Sequence, residues 1–129
     1  MMRSGREPTF LRVLNITADF VSLMSVCVAV DEGGNASVVT WTEKQIASYL
    51  DNCVQFVGAM DELDVFIVGC SRCDGNGTHP WHAKASPIFL PPPPKGKLVF
   101  VASDAEGLGK DVDVDSLREA LSSQYGVTF

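Results

Sequence analysis

Both histidines of the chain and two of its four cysteines fall within the thirteen residues from Cys70 to His82. The run reads Gly69-Cys70-Ser71-Arg72-Cys73-Asp74-Gly75-Asn76-Gly77-Thr78-His79-Pro80-Trp81-His82. A thiolate is both a nucleophile and a soft metal ligand. An imidazole takes up or releases a proton near neutrality. Their concentration here points to either a Cys-His nucleophilic pair or a metal centre.

In the first chemistry Cys70 is the nucleophile and His82 its base. Gly69 lets the backbone turn and a substrate approach closely, and amides at such a turn can face a developing oxyanion. His82 would fold back over the glycine-rich loop, with Trp81 beside it as a pocket wall. Asp64 has the strand parity of Phe66, Val68 and Cys70, so it is the candidate third member that orients the imidazole. Its six-residue separation from Cys70 spans roughly 20 Å of extended strand. A cap or an ion pair is therefore the competing role for Asp64.

In the second chemistry Cys70, Cys73, His79 and His82 form C-x2-C-x5-H-x2-H, four ligands of the types zinc prefers. Cys70 to Gly77 also matches the C-x-x-C-x-G-x-G unit of the DnaJ zinc domain, present here once. A redox C-x-x-C would need a helix after it, which Gly75 and Gly77 disfavour. If neither chemistry holds, Cys73 is a loop thiol, His79 an exposed loop residue, and the chain a binding or scaffold domain. Cys27 and Cys53 lie in apolar patterns and read as core residues.

The Gly69-Cys70 pair, a gap of eleven residues from Cys70 to His82 that ends in Trp81, and then Pro87 resemble the active segment of the Cys-His glutamine deamidases. That group includes the Burkholderia lethal factor, the cytotoxic necrotising factor catalytic domain and the chemotaxis deamidase CheD. The group's motif is Leu-Ser-Gly-Cys at a strand end, then a histidine on the next strand. Here Ile67 and Val68 replace the leucine and serine, and Asp64 stands where the lethal factor has a threonine. The resemblance covers about 20 of the 129 residues. It implies a mixed, largely antiparallel β-sandwich flanked by helices. It also implies deamidation of a glutamine side chain on a partner protein, without cofactor. Cys70 would attack the carboxamide, His82 would protonate the leaving ammonia, and the Gly69 and Cys70 amides would hold the oxyanion. The chain would then act in its own cytoplasm or, as an effector, in a host cytosol.

The elements around this segment are legible in outline. Residues 1–8 read as a loose arm and Phe10 to Ile16 as a strand. Phe20 to Val30 and Ser37 to Trp41 flank the turn cluster Asp31-Glu-Gly-Gly-Asn35 and predict an antiparallel hairpin. Thr42 and Gln45 have capping-box spacing, and an apolar face from Ile46 to Val57 predicts a helix ending near Gly58. Leu63 to Val68 predicts a strand into Gly69-Cys70. Residues 71–96, with Pro91 to Pro94 as a stiff spacer, predict a long irregular loop of the kind that is often functional. Lys97 to Ala102 predicts a strand and Val114 to Tyr125 a helix with a cap at Asp113 or Asp115 and a stop at Gly126. The order β, β, β, α, β, loop, β, α predicts an α/β (α+β) fold with a mixed sheet.

The length of 129 residues suits one domain, and 46% hydrophobic with 20% charged residues is globular composition. The net charge of -6 excludes the basic footprint of a nucleic-acid binder and disfavours anionic membranes. No stretch approaches the ~18 apolar residues of a membrane span. The charged start argues against a signal peptide, hence for reduced thiols. Asp111, Asp113 and Asp115 read as an acidic helix entry, since no EF-hand glycine and glutamate follow.

Overall fold

The computed structural model describes residues 24–70, 78–104 and 109–129, with Cys70 placed by its backbone. The expected arm and the strand at Phe10 to Ile16 lie outside the described residues. The described strands are β1 (Ser25–Val30), β2 (Ala36–Trp41), β3 (Val54–Met60), β4 (Val65–Cys70), β5 (Leu98–Ser103) and β6 (Gly109–Lys110). The helices are α1 (Glu43–Tyr49), α2 (His82–Ala85) and α3 (Val114–Tyr125).

The strands form one antiparallel sheet in the order β2-β1-β5-β4-β3, with β6 also pairing β5. The α+β class is thus as the sequence predicts. The parallel pairing of a mixed sheet and the second sheet of a sandwich do not occur among the described residues; helices, not strands, cover both faces. On one face Ile46 and Leu50 of the α1 segment pack over Cys27, Phe56, Phe66, Val68, Val99 and Val101. On the other, Trp81, Ala85, Ile88, Phe89, Leu117 and Leu121 pack over Val28, Val30, Val65, Ile67, Leu98 and Phe100. β5 is buried at all six positions, which explains why Leu-Val-Phe-Val-Ala is a continuous apolar run rather than an alternating one.

The β1–β2 hairpin forms as expected, in the register Val28↔Val38. The capping box is present: the Thr42 hydroxyl accepts from the Gln45 amide, and the Thr42 amide donates to Gln45 Oε1. The helix it starts does not reach Gly58. It ends at Tyr49, and Asp51 and Asn52 are both left-handed, at φ 58° and 59°. Asp and Asn are among the side chains that tolerate this region. Val54 to Met60 then runs as β3, since β-branched residues suit a pleated surface. α3 has the predicted ends: Asp113 accepts from the Ser116 amide, and Gly126 closes the helix in the left-handed conformation.

Residues 71–96 are not irregular throughout. α2 and a 3-10 turn at Ser86–Ile88 lie within them. Phe89 bridges Gly58, and the Leu90 amide donates to the Val57 carbonyl at 2.8 Å, so this segment covers the outer edge of β3. No helix among the described residues is long and apolar enough to cross a membrane.

Candidate functional site

Cys70 ends β4 opposite Val54, directly after Gly69, which pairs with Leu98. A Cβ at Gly69 would lie within 3.4 Å of Val57 Cγ1 and Leu98 Cδ2 and 3.3 Å of the Lys97 carbonyl. The glycine therefore serves close packing between strands. Phe66 and Val68 of β4 line the face under α1. Lys97, the residue before Leu98, lies on that side too, its ammonium 3.3 Å from the Tyr49 carbonyl and 5.0 Å from the Tyr49 ring centre.

His82 stands on the other face. It begins α2, whose neighbours Trp81 and Ala85 belong to the opposite core cluster. Its half-buried ring lies 5.8 Å from that of Phe89. The expected Cys70–His82 pair rests on the Cys70 side chain, which lies outside the described residues. Asp64 is at the far end of β4, where it caps a 3-10 turn in the left-handed conformation (φ 55°) and pairs with Lys110 at 3.7 Å. This is the cap and ion-pair role that competed with the catalytic one.

His79 is the residue whose environment departs furthest from expectation. It is not an exposed loop residue: it is 2% exposed. Its Nδ1 accepts the Trp81 backbone N–H at 3.1 Å. The remaining proton therefore sits on Nε2, which donates to the Asp31 carbonyl at 2.9 Å. The His79 amide donates to the Pro94 carbonyl at 2.8 Å. Burial pushes the imidazole below its ordinary pKa, against the opposing pull of the Asp31 carbonyl and carboxylate. A buried polar ring is stable only when satisfied, and this one has both nitrogens paired, with the nearby Trp81 amide and the distant Asp31 carbonyl.

Trp81 completes the same junction. Its indole N–H donates to the Gly34 carbonyl at 3.1 Å. Its ring packs against Phe100 and stacks on Phe129, with centroids 5.7 and 5.8 Å away. Trp81 is thus a core aromatic, and its remaining edge floors an open cleft of about 190 Å³ with Pro80, Lys84, Val127 and Thr128. The Lys84 ammonium stands at this cleft, 3.4 Å from the Gly126 carbonyl. Pocket wall and core residue, the two roles weighed for Trp81, coexist.

Of the zinc set, the Cys70 side chain and Cys73 lie outside the described residues, and neither His79 nitrogen presents a lone pair while its two hydrogen bonds stand. No group of three or more potential ligands occurs among the described residues. Cys27 is a core thiol as expected; burial, then the Glu43 charge, push its pKa up to about 12. Cys53 packs partly buried against the cluster under α1.

Sequence reasoning missed Lys84, Val127 and Thr128, which come together only when α2 meets the C-terminal segment. It read Asp31 to Asn35 as a turn but had no signal linking that turn to His79. Compared with protein-family models, curated proteins and solved structures, the chain matches none.

Proposed function

We propose that this chain is a non-enzymatic protein-binding domain that seats one acidic side chain of its partner on Trp81, beside Lys84. The observation that carries this reading is the cleft itself. At about 190 Å³ it is below the roughly 300–1,000 Å³ of cofactor and small-molecule pockets, and it is sized for a single side chain. Its walls, Trp81, Pro80 and Val127, offer apolar contact to a methylene stem. An ammonium has three N–H donors, so the Lys84 bond to Gly126 leaves two for a carboxylate. Tryptophan is among the residue types enriched in interface hot spots.

The test is a titration of the 15N-labelled chain with acetylated tripeptide amides that differ only in the central residue. Glutamate should shift the Trp81, Lys84, Val127 and Thr128 signals, glutamine less, and lysine not at all. Lys84→Glu should weaken the glutamate response at least tenfold. Equal responses to glutamate and lysine would remove this reading.

The thiol reading, deamidation of a glutamine on a partner protein by Cys70, is supported by one observation: Gly69-Cys70 closes β4 at a strand end, as the resemblance implies. Site-resolved alkylation of Cys70 with iodoacetamide against pH, with His82→Ala as control, separates the two. A depressed thiol pKa that returns to normal in His82→Ala would restore the deamidase.

A further inference from the structure

We propose that His79 is a pH-operated clasp: a proton from solvent, bound at Nδ1, removes the acceptor of the Trp81 amide and loosens the Trp81 backbone, whose indole is tied to the β1–β2 turn. The geometry carries the inference. The ring is almost fully buried, and its two nitrogens have different jobs. Nε2 donates to the Asp31 carbonyl, while Nδ1 must keep its lone pair to accept from Trp81. A protonated imidazole has two donors and no acceptor. It would set N–H against N–H at Nδ1 and leave the Trp81 amide unpaired in the interior.

The junction held this way is compact. Beyond the ring itself, the Trp81 indole donates to Gly34. A Cβ on Gly34 would lie 3.2 Å from both Pro80 Cγ and Trp81 Nε1. Among the described residues no titratable side chain pairs with the ring to hold its charge. The described titratable groups on the segments around it are Asp31 and Glu32 in the turn, His82 and Lys84 in α2, and Lys95 and Lys97 after Pro94. Tyr49 of α1 senses Asp31 and Glu32. Of these groups, Asp31 is the one whose charge favours protonation of His79, and burial outweighs it. The Asp31 carboxylate is already engaged by the amides of Gly33 and Asn35 and by the Asn35 side chain, at 2.9, 2.9 and 3.2 Å.

The linkage has a defined sign. A histidine whose folded pKa is lowered contributes its full stability above the unfolded value of about 6.5 and loses it as pH falls below that value toward the folded pKa. The carboxyls of Asp31 and Asp113 are lowered from 3.8 by the amides they accept from, so their contribution is lost at more acid pH than that of His79.

The experiment is native-state amide exchange on the full chain from pH 7.5 to 5, with rates corrected for intrinsic exchange. The protection of the Trp81 amide and indole should fall by up to about tenfold per pH unit below pH 6.5, while Leu121 in α3 stays constant. His79→Gln, which keeps an amide donor but does not titrate, should flatten the dependence; His82→Gln should leave it unchanged. Heteronuclear NMR at pH 8 should find the His79 proton on Nε2. Flat Trp81 protection in the native chain, a parallel fall of Leu121, or transfer of the effect to His82 would each overturn the clasp.

Discussion

At the scale of single residues, two groups that resemble reagents are fixed by burial instead. Cys27 is held against the Ser25 carbonyl, and burial pushes its thiol up to about 12. A thiol reacts as the thiolate, so alkylation of the native chain at pH 8 followed by mass mapping should label Cys53 and spare Cys27 until the chain is unfolded. Gly34 is the second test. Its φ of +88° and its contact with Pro80 and Trp81 leave no room for a side chain. Gly34→Ala should cost about 1–3 kcal/mol, read as a lower urea midpoint with an unchanged slope. His79 itself was not legible in the sequence. A histidine before a proline in a glycine-rich stretch has the composition of an exposed loop. Its burial depends on the Asp31 carbonyl and the Trp81 amide, and backbone groups carry no side-chain signature.

At the scale of elements, local chemistry predicted what local chemistry controls. α3 lies where Asp113 and Gly126 place it. The lowered pKa of Asp113 comes from the amide and hydroxyl of Ser116, so the cap stabilises above the carboxyl's ordinary value and is lost as pH falls through the depressed one. Asp113→Ala should lower the melting temperature at pH 6 and lose that effect near pH 2, followed by circular dichroism. The strands β4 and β5 were equally readable from their apolar runs. The end of α1 was not. Ile46, Leu50 and Val54 fit a helical period over a window too short to separate it from a turn and a strand. The left-handed pair Asp51-Asn52 decides the matter. The cover on β3 was also invisible, because it joins Gly58 to Phe89 from far along the chain. A Cβ at Gly58 would strike the Ile88 carbonyl. Gly58→Ala should therefore expose the Leu90 amide to rapid exchange while leaving the β4–β5 amides protected.

At the scale of the whole molecule, one sheet lies between two helical layers, and His82 belongs to the layer opposite α1. What the fold assembles there is the junction of Trp81, His79 and the β1–β2 turn, anchored on Phe100. Phe100 is fully buried and supports the Trp81 ring. Phe100→Ala should cost about 3–5 kcal/mol, a large share of the roughly 5–15 kcal/mol that holds a domain of this kind together. Equilibrium urea unfolding checks it. If Trp81 is the floor of a binding cleft, this packing makes the floor rigid, and rigid anchors bind with less entropy to lose. The most direct measurement is the glutamate-peptide titration of the 15N-labelled chain and of Lys84→Glu. The account predicts shifts confined to Trp81, Lys84, Val127 and Thr128 that Lys84→Glu weakens at least tenfold. Shifts absent there, or equal for glutamate and lysine peptides, would contradict it.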